Sequence, residues 1–178
     1  MTAVREQTRY MTRRAFRNLT RADYPTAPRH SVRLVTYATD PANIGGMVRT
    51  AEAFMADRLT ALKSPGATAV GTDRWQPAEY GWHLVEAIAA AKADGYTIVA
   101  LEQATDAHRL PCDLPERMCL VSGNEGSGIP ASVLSAADLA IEIPQYGFVG
   151  SLNVVTATSI ALYELSLIHI SEPTRQAE

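Results

Sequence analysis

This 178-residue sequence contains two cysteines, Cys112 and Cys119, which is too few for a disulfide framework. There is no CxxC pair, and His30, His83, His108 and His169 are scattered, so no zinc-ligand spacing emerges. No apolar run reaches the ~20 residues of a membrane helix. Met1 to Arg14 is polar and Arg-rich, without the apolar core of a secretory signal. Internal repeats, a Walker A loop, a G-x-S-x-G elbow and a full dinucleotide fingerprint are missing as well. These gaps favour a metal-free protein in a reduced, cytoplasmic setting and away from the membrane. Hydrophobic residues at 47% and charged residues at 20% exclude disorder and collagen-like repeats. The length suits one domain.

Charge is unevenly placed. Residues 1–33 hold eight Arg against Glu6 and Asp23, a net of +6, and no Lys. The remaining chain carries eight basic and seventeen acidic residues, a net of −9. Guanidinium groups suit bidentate phosphate contact and base stacking, so this pattern raises nucleic acid as a partner. A solvated leader explains the same charge equally well.

Apolar patterning predicts strands over 31–37, 58–62, 96–101, 118–121 and 139–143. Helices are expected over 5–19, 44–55, 79–92, with Trp82 on its apolar face, 130–137 and 152–165. Gly95 reads as a helix stop. The 152–165 helix is apolar nearly all round and is expected to be buried, in the core or against a partner subunit. Alternation of strands with helices predicts an α/β domain with a mostly parallel sheet.

Three segments could carry chemistry. In Asn43-Ile-Gly-Gly-Met-Val-Arg49-Thr-Ala-Glu52, paired glycines at a helix start would let the backbone approach an anion, and Arg49 could reach towards Asn43's face. An Asn-capped helix with a solvent Arg is the plain alternative. In Val121-Ser-Gly-Asn-Glu125-Gly-Ser-Gly-Ile-Pro130, three glycines follow a buried strand, where open α/β sheets bind ligands. A phosphate cradle would avoid the Glu125 carboxylate. In Ile143-Pro-Gln-Tyr-Gly-Phe-Val-Gly-Ser151-Leu-Asn153-Val154, a loop leads to a helix that Ser151 would cap, with Asn153 in its first turn.

In this order and spacing, the three segments resemble the motifs of the SpoU family of SPOUT RNA methyltransferases, the TrmH-like ribose 2′-O-methyltransferases. The resemblance runs from about Val32 to Leu165. Trp75-Gln76-Pro77, Glu102-Gln103-Ala104-Thr105 and Glu142-Ile143-Pro144-Gln145 look most like the tRNA guanosine-18 branch. A glycine often follows the family's first Ala-Phe, where this chain has Met55.

The resemblance implies an α/β SPOUT-type fold, a mostly parallel sheet flanked by helices with a C-terminal deep trefoil knot. It implies that S-adenosyl-L-methionine is held by three loops, at Leu101 and Glu102, at Gly123, Asn124 and Gly128, and at Ile143, Pro144 and Leu152. It implies a homodimer whose sites combine both subunits, and an RNA substrate, tRNA favoured over rRNA. Arg49 would activate the ribose hydroxyl, Asn43 would orient the RNA or Arg49, and Glu125 would orient Arg49 or the ribose. Ser151 and Asn153 would shape the site. Arg9, Arg13, Arg14 and Arg17 would hold RNA from a basic arm over residues 1–30, beside a catalytic domain over 31–165. An rRNA methyltransferase, an RNA-binding protein of this fold without activity, and a nucleotide-binding α/β module stay open as alternatives. Residues 166–178 are expected to be foreign to the domain, since they resemble a translated sequencing adapter.

Overall fold

The computed structural model describes residues 29–81 and 83–171. The expected basic helix, Arg9, Arg13, Arg14, Arg17 and Trp82 lie outside them. Seven strands form one sheet: β1 (His30–Thr36), β2 (Ala56–Ala61), β3 (Ala78–Tyr80), β4 (Thr97–Leu101), β5 (His108–Arg109), β6 (Met118–Ser122) and β7 (Leu139–Glu142). Their spatial order is β3-β2-β1-β6-β4-β7-β5, and every pairing is parallel.

The central strands read as continuous apolar runs because both faces are covered. On β6, Met118 and Leu120 join the core layer beneath α1 (Pro41–Ala53) and α4 (Val154–Ser171). Cys119 and Val121 point to the other layer, under α2 (Leu84–Ala93) and α3 (Ala131–Ala136). Burial pushes the Cys119 thiol up to about 12, so it packs as a small hydrophobe.

Several boundaries differ from expectation. α1 begins at Pro41 rather than Ile44, because Asp40 is its cap: its Oδ1 accepts from the Ala42 N–H at 2.7 Å. Asn43 therefore lies inside the first turn and does not cap the helix. Residues 78–80 form an edge strand instead of starting a helix, since β2 offers a free ladder there; α2 starts at Leu84. β5 is too short to show a pattern. α4 runs past Leu165 to Ser171, as nothing before Pro173 breaks a helix. Gly95 does end α2, with φ +82°.

Two of the eight N-terminal arginines are structural. Arg29 donates to Ala56 O, Trp75 O, Gln76 Oε1 and Glu52 Oε2 at 2.7–3.0 Å, closing the ends of β1, β2 and α1 together. Arg33 pairs with Asp94 at 2.7 Å and lies 4.2 Å from the centre of the Tyr96 ring. Of the eight, Arg29 and Arg33 thus serve the fold; Arg29 falls within the expected 1–30 arm.

Met55 follows the C-cap of α1 with φ +53°, the left-handed position that glycine favours. A side chain there costs ~1–2 kcal/mol, and glycine's extra chain entropy offsets part of that. Met55→Gly should therefore stabilise the domain by about 1 kcal/mol and raise Tm by ~2–4 °C, read by thermal denaturation. A lower Tm would mean that the half-buried Met55 side chain contributes more packing than its backbone strain costs.

Candidate active site

Strands β6, β4 and β7 are neighbours and parallel, so their carboxyl ends emerge side by side. The loops that follow Leu101, Ser122 and Glu142 surround a cleft of about 380 Å³, and the start of α4 closes its floor with Val154 and Ala157. This is where ligands bind in open parallel sheets. Leu101, Glu102, Gly123, Asn124, Gly128, Ile143 and Leu152 line it as expected.

The middle loop is closed by its own backbone. Asn124 and Gly128 exchange N–H···O bonds of 2.9 and 3.0 Å. A Cβ on Gly123 would lie 2.6 Å from the Gly128 carbonyl carbon, and Gly128 has φ +67°, so both positions require glycine. Asn124 Oδ1 accepts from the Gly126 and Ser127 N–H groups, while its Nδ2 donates to Tyr37 O and Thr39 Oγ1. Glu102 braces the loop from the side: Oε2 accepts from the Ile129 N–H at 3.0 Å and Oε1 from the Gln103 N–H at 3.1 Å. Its carboxylate thus braces the wall rather than standing free for a ligand.

A polar chain joins the three motif segments. Glu125 Oε1 accepts from Asn43 Nδ2 at 2.8 Å. Asn43 Oδ1 accepts from Asn153 Nδ2 at 3.0 Å. Asn153 Oδ1 accepts from the Val155 N–H at 2.9 Å, which makes Asn153 the cap of α4 in place of Ser151. Ser151 lines the cleft instead. Burial works against the Glu125 charge, but the hydrogen bonds from Asn43 and from the Thr39 and Asp40 backbone outweigh it and hold the carboxyl below its usual range.

A family model described as the SpoU rRNA methylase family matches residues 31–163. The chain belongs to that family. A mouse tRNA (guanosine(18)-2′-O)-methyltransferase is 32% identical over 146 residues, 75% of this chain and 9% of the mouse protein. A 23S rRNA (guanosine(2553)-2′-O)-methyltransferase of Bacillus subtilis is 32% identical over 150 residues, 78% of this chain and 59% of its own. The chain therefore spans less than two thirds of either relative. The crystal structure of an A. aeolicus TrmH/SpoU tRNA modifying enzyme superposes with a TM-score of 0.72 at 26% identity, covering 81% of this chain and 78% of that one.

Within this SpoU-family fold, the remaining expected residues fall in different places. Arg49 is exposed on α1 and does not line the cleft of its own chain. Among the described residues Glu125 is held by Asn43 and not by Arg49, which lies six residues, ~9 Å, farther along the helix. Pro144 lines a smaller side cleft rather than the main one. Gly45 and Gly46 face packed neighbours rather than an open anion site: a Cβ on Gly45 would sit 2.6 Å from the Thr68 carbonyl carbon, and one on Gly46 3.0 Å from Val155 of α4. They are glycines because helix and neighbours touch there.

Sequence reasoning missed Gln103, Ser122, Glu142 and Gln145, which also line the cleft. Each stands at or just after the carboxyl end of a strand, a placement that the strand boundaries would have disclosed. Among the described residues, no group of three His, Cys, Asp or Glu side chains lies together as a metal site. No described helix is long and apolar enough to cross a membrane.

Among the described residues, the lining contains Glu102, Glu125 and Glu142 and no Lys or Arg; Glu142 is paired from outside the cleft with Arg109 at 2.8 Å. Apolar walls at Leu101, Ile143, Leu152 and Val154 alternate with these acids and with loop backbone. Such a cleft fits a ligand with an apolar or aromatic body and a positive charge, and disfavours a polyphosphate.

Proposed function

We propose that this chain is an S-adenosyl-L-methionine-dependent RNA ribose 2′-O-methyltransferase that acts on guanosine in tRNA. The carrying observation is the three-loop cleft, lined by three carboxylates and, among the described residues, by no Lys or Arg. S-adenosylmethionine fits it chemically, with an adenine for the apolar walls and the loop backbone, and a sulfonium for the acidic rim. Bound there, it would supply a methyl group on positively charged sulfur to an oxygen nucleophile. The names of the mouse and A. aeolicus relatives support tRNA; that of the Bacillus relative supports rRNA at equal identity and is the second reading.

The residues divide the work. A guanidinium keeps its proton, so Arg49 acts as a fixed positive charge that favours the forming 2′-oxyanion. A phosphate of the RNA or another group accepts the proton. Glu125, with its depressed pKa and its hydrogen bonds already made, is a poor base. It holds the Thr39–Asp40 turn and Asn43 against the middle loop. Because Arg49 lies outside its own cleft, a homodimer would be needed to bring it to a partner's cleft. The half-exposed Ile160 and the exposed Tyr163 on α4 support such a contact.

The C-terminal knot belongs to the same reading. It is supported by the chain path: β6 inserts between β1 and β4, β7 follows on the far side of β4, and α4 returns to pack on α1. We further assign the arm of residues 1–30, except for Arg29 and His30, which join the fold, to RNA binding on charge, 31–165 to the catalytic domain and 166–178 to an atypical tail whose first residues continue α4, and place the enzyme in the cytoplasm.

The deciding experiment is mass spectrometry of nucleosides after incubating tRNA and rRNA with the protein and labelled S-adenosylmethionine. Labelled 2′-O-methylguanosine from tRNA is expected. Label in rRNA alone would move the assignment to the second reading, and label in neither would leave an RNA-binding protein without activity.

A further inference from the structure

Beside the main cleft lies a second one of about 210 Å³, lined by Gln103, Arg109, Glu142, Ile143, Pro144, Gln145 and Tyr146. Gln103, Glu142, Ile143 and Gln145 also line the main cleft, so the two share a wall. Tyr146 stands at its rim with 96% of its surface exposed. Arg109 holds Glu142 through Nε at 2.8 Å, and its side chain is 75% exposed. That pair engages the guanidinium through Nε, and among the described residues no hydrogen bond or ion pair involves its terminal nitrogens.

We propose that this side cleft is a nucleotide subsite for the RNA substrate, in which Tyr146 stacks a base and Arg109 takes its phosphate. The inference rests on the methyltransferase reading and extends it to substrate positioning. An exposed phenol ring is a surface that any base can stack on. A guanidinium with two free terminal N–H groups matches a phosphate's paired oxygens. The carboxamides of Gln103 and Gln145 supply donors and acceptors between them, of the kind that read base edges. Gln103 Nε2 already donates to Gly150 O at 3.2 Å, which ties the loop bearing Tyr146 to the wall between the clefts. A nucleotide bound here adjoins the cleft assigned to the methyl donor, so the subsite and the reacting ribose belong to one stretch of RNA.

The test uses the full chain, bulk unmodified tRNA and labelled S-adenosylmethionine. Tyr146→Ala should weaken tRNA binding, measured by filter retention, and raise KM for tRNA about tenfold, while donor affinity and Tm stay at wild-type values. Tyr146→Phe should restore both. Arg109→Gln should weaken tRNA binding and reduce by about one the slope of log affinity against log salt. Val85→Ala, also exposed on α2, is the control and should behave as wild type. Unchanged tRNA affinity in Tyr146→Ala overturns the subsite, as does a fall in donor affinity alone. If the wild type binds tRNA but transfers no methyl group to it, the proposed activity fails, while the binding comparison still decides the subsite.

Discussion

Arg49→Ala is expected to reduce methyl transfer by a factor of ~10²–10³ while donor binding, fold and Tm are retained. The side chain is exposed on α1 and makes no contact with its own cleft, so its loss removes no core packing. Exposed positions of this kind usually change stability by less than ~0.5 kcal/mol. The effect on rate arises because a charge aimed at a developing oxyanion acts chiefly in the transition state; removal of one such donor commonly costs ~10²–10³. Two measurements separate the roles: calorimetry of S-adenosylmethionine, expected unchanged, and single-turnover methyl transfer, expected nearly abolished.

The position of Arg49 makes a sharper form of the experiment possible. If it serves the partner's cleft, an Arg49→Ala subunit paired with a Glu125→Ala subunit contains one intact composite site. An equal mixture, refolded together, should then regain about one quarter of wild-type activity. If Arg49 serves its own cleft, no mixed dimer has an intact site and the mixture stays inactive. Near-normal turnover by Arg49→Ala alone would remove it from the mechanism.

The parallel sheet was legible because β4 and β6 are buried on both faces and show it as unbroken apolar runs. The two main site loops, each ambiguous alone, were legible through their order and spacing, which resemble the family's motifs. What stayed hidden was the division of labour among polar atoms. Nothing in the composition distinguishes Asp40 from Asn43 as the cap of α1, or Ser151 from Asn153 as the cap of α4, because all four are good caps within three residues of the correct place. The choice is made by tertiary partners: Asn43 is drawn off by Glu125, far along the chain, and Asn153 is aligned by Asn43. The glycines at 45 and 46 show the same limit from the other side. Their lack of side chains suits an anion or a close neighbour equally, and only the positions of Thr68 and Val155 decide between them. The departure at Met55 was visible in the sequence, but its meaning needed the backbone angle.

That polar chain predicts the outcome of a one-group change. Asn43→Asp is nearly isosteric, yet it replaces the amide that donates to Glu125 at 2.8 Å with a second carboxylate. At neutral pH, two like charges then face each other, and the side chain that aligned Asn153 loses its fixed polarity. The expected loss of activity is about as large as that of Glu125→Ala, ~10²-fold, because either change releases the Thr39–Asp40 turn and loosens the cap of α4. The pH dependence distinguishes the two variants. In the wild type, the lowered pKa of Glu125 means that its contribution is complete above the ordinary carboxylate range and is lost only as pH falls through that depressed value. In Asn43→Asp, the pair shares a proton more readily, so its apparent pKa rises and activity relative to wild type should recover as pH is lowered from 8 towards ~5.5. Glu125→Ala has no carboxylate to restore, so its ratio to wild type should stay flat over the same range. A flat ratio for Asn43→Asp would show that Asn43 acts by some means other than donating to that carboxylate.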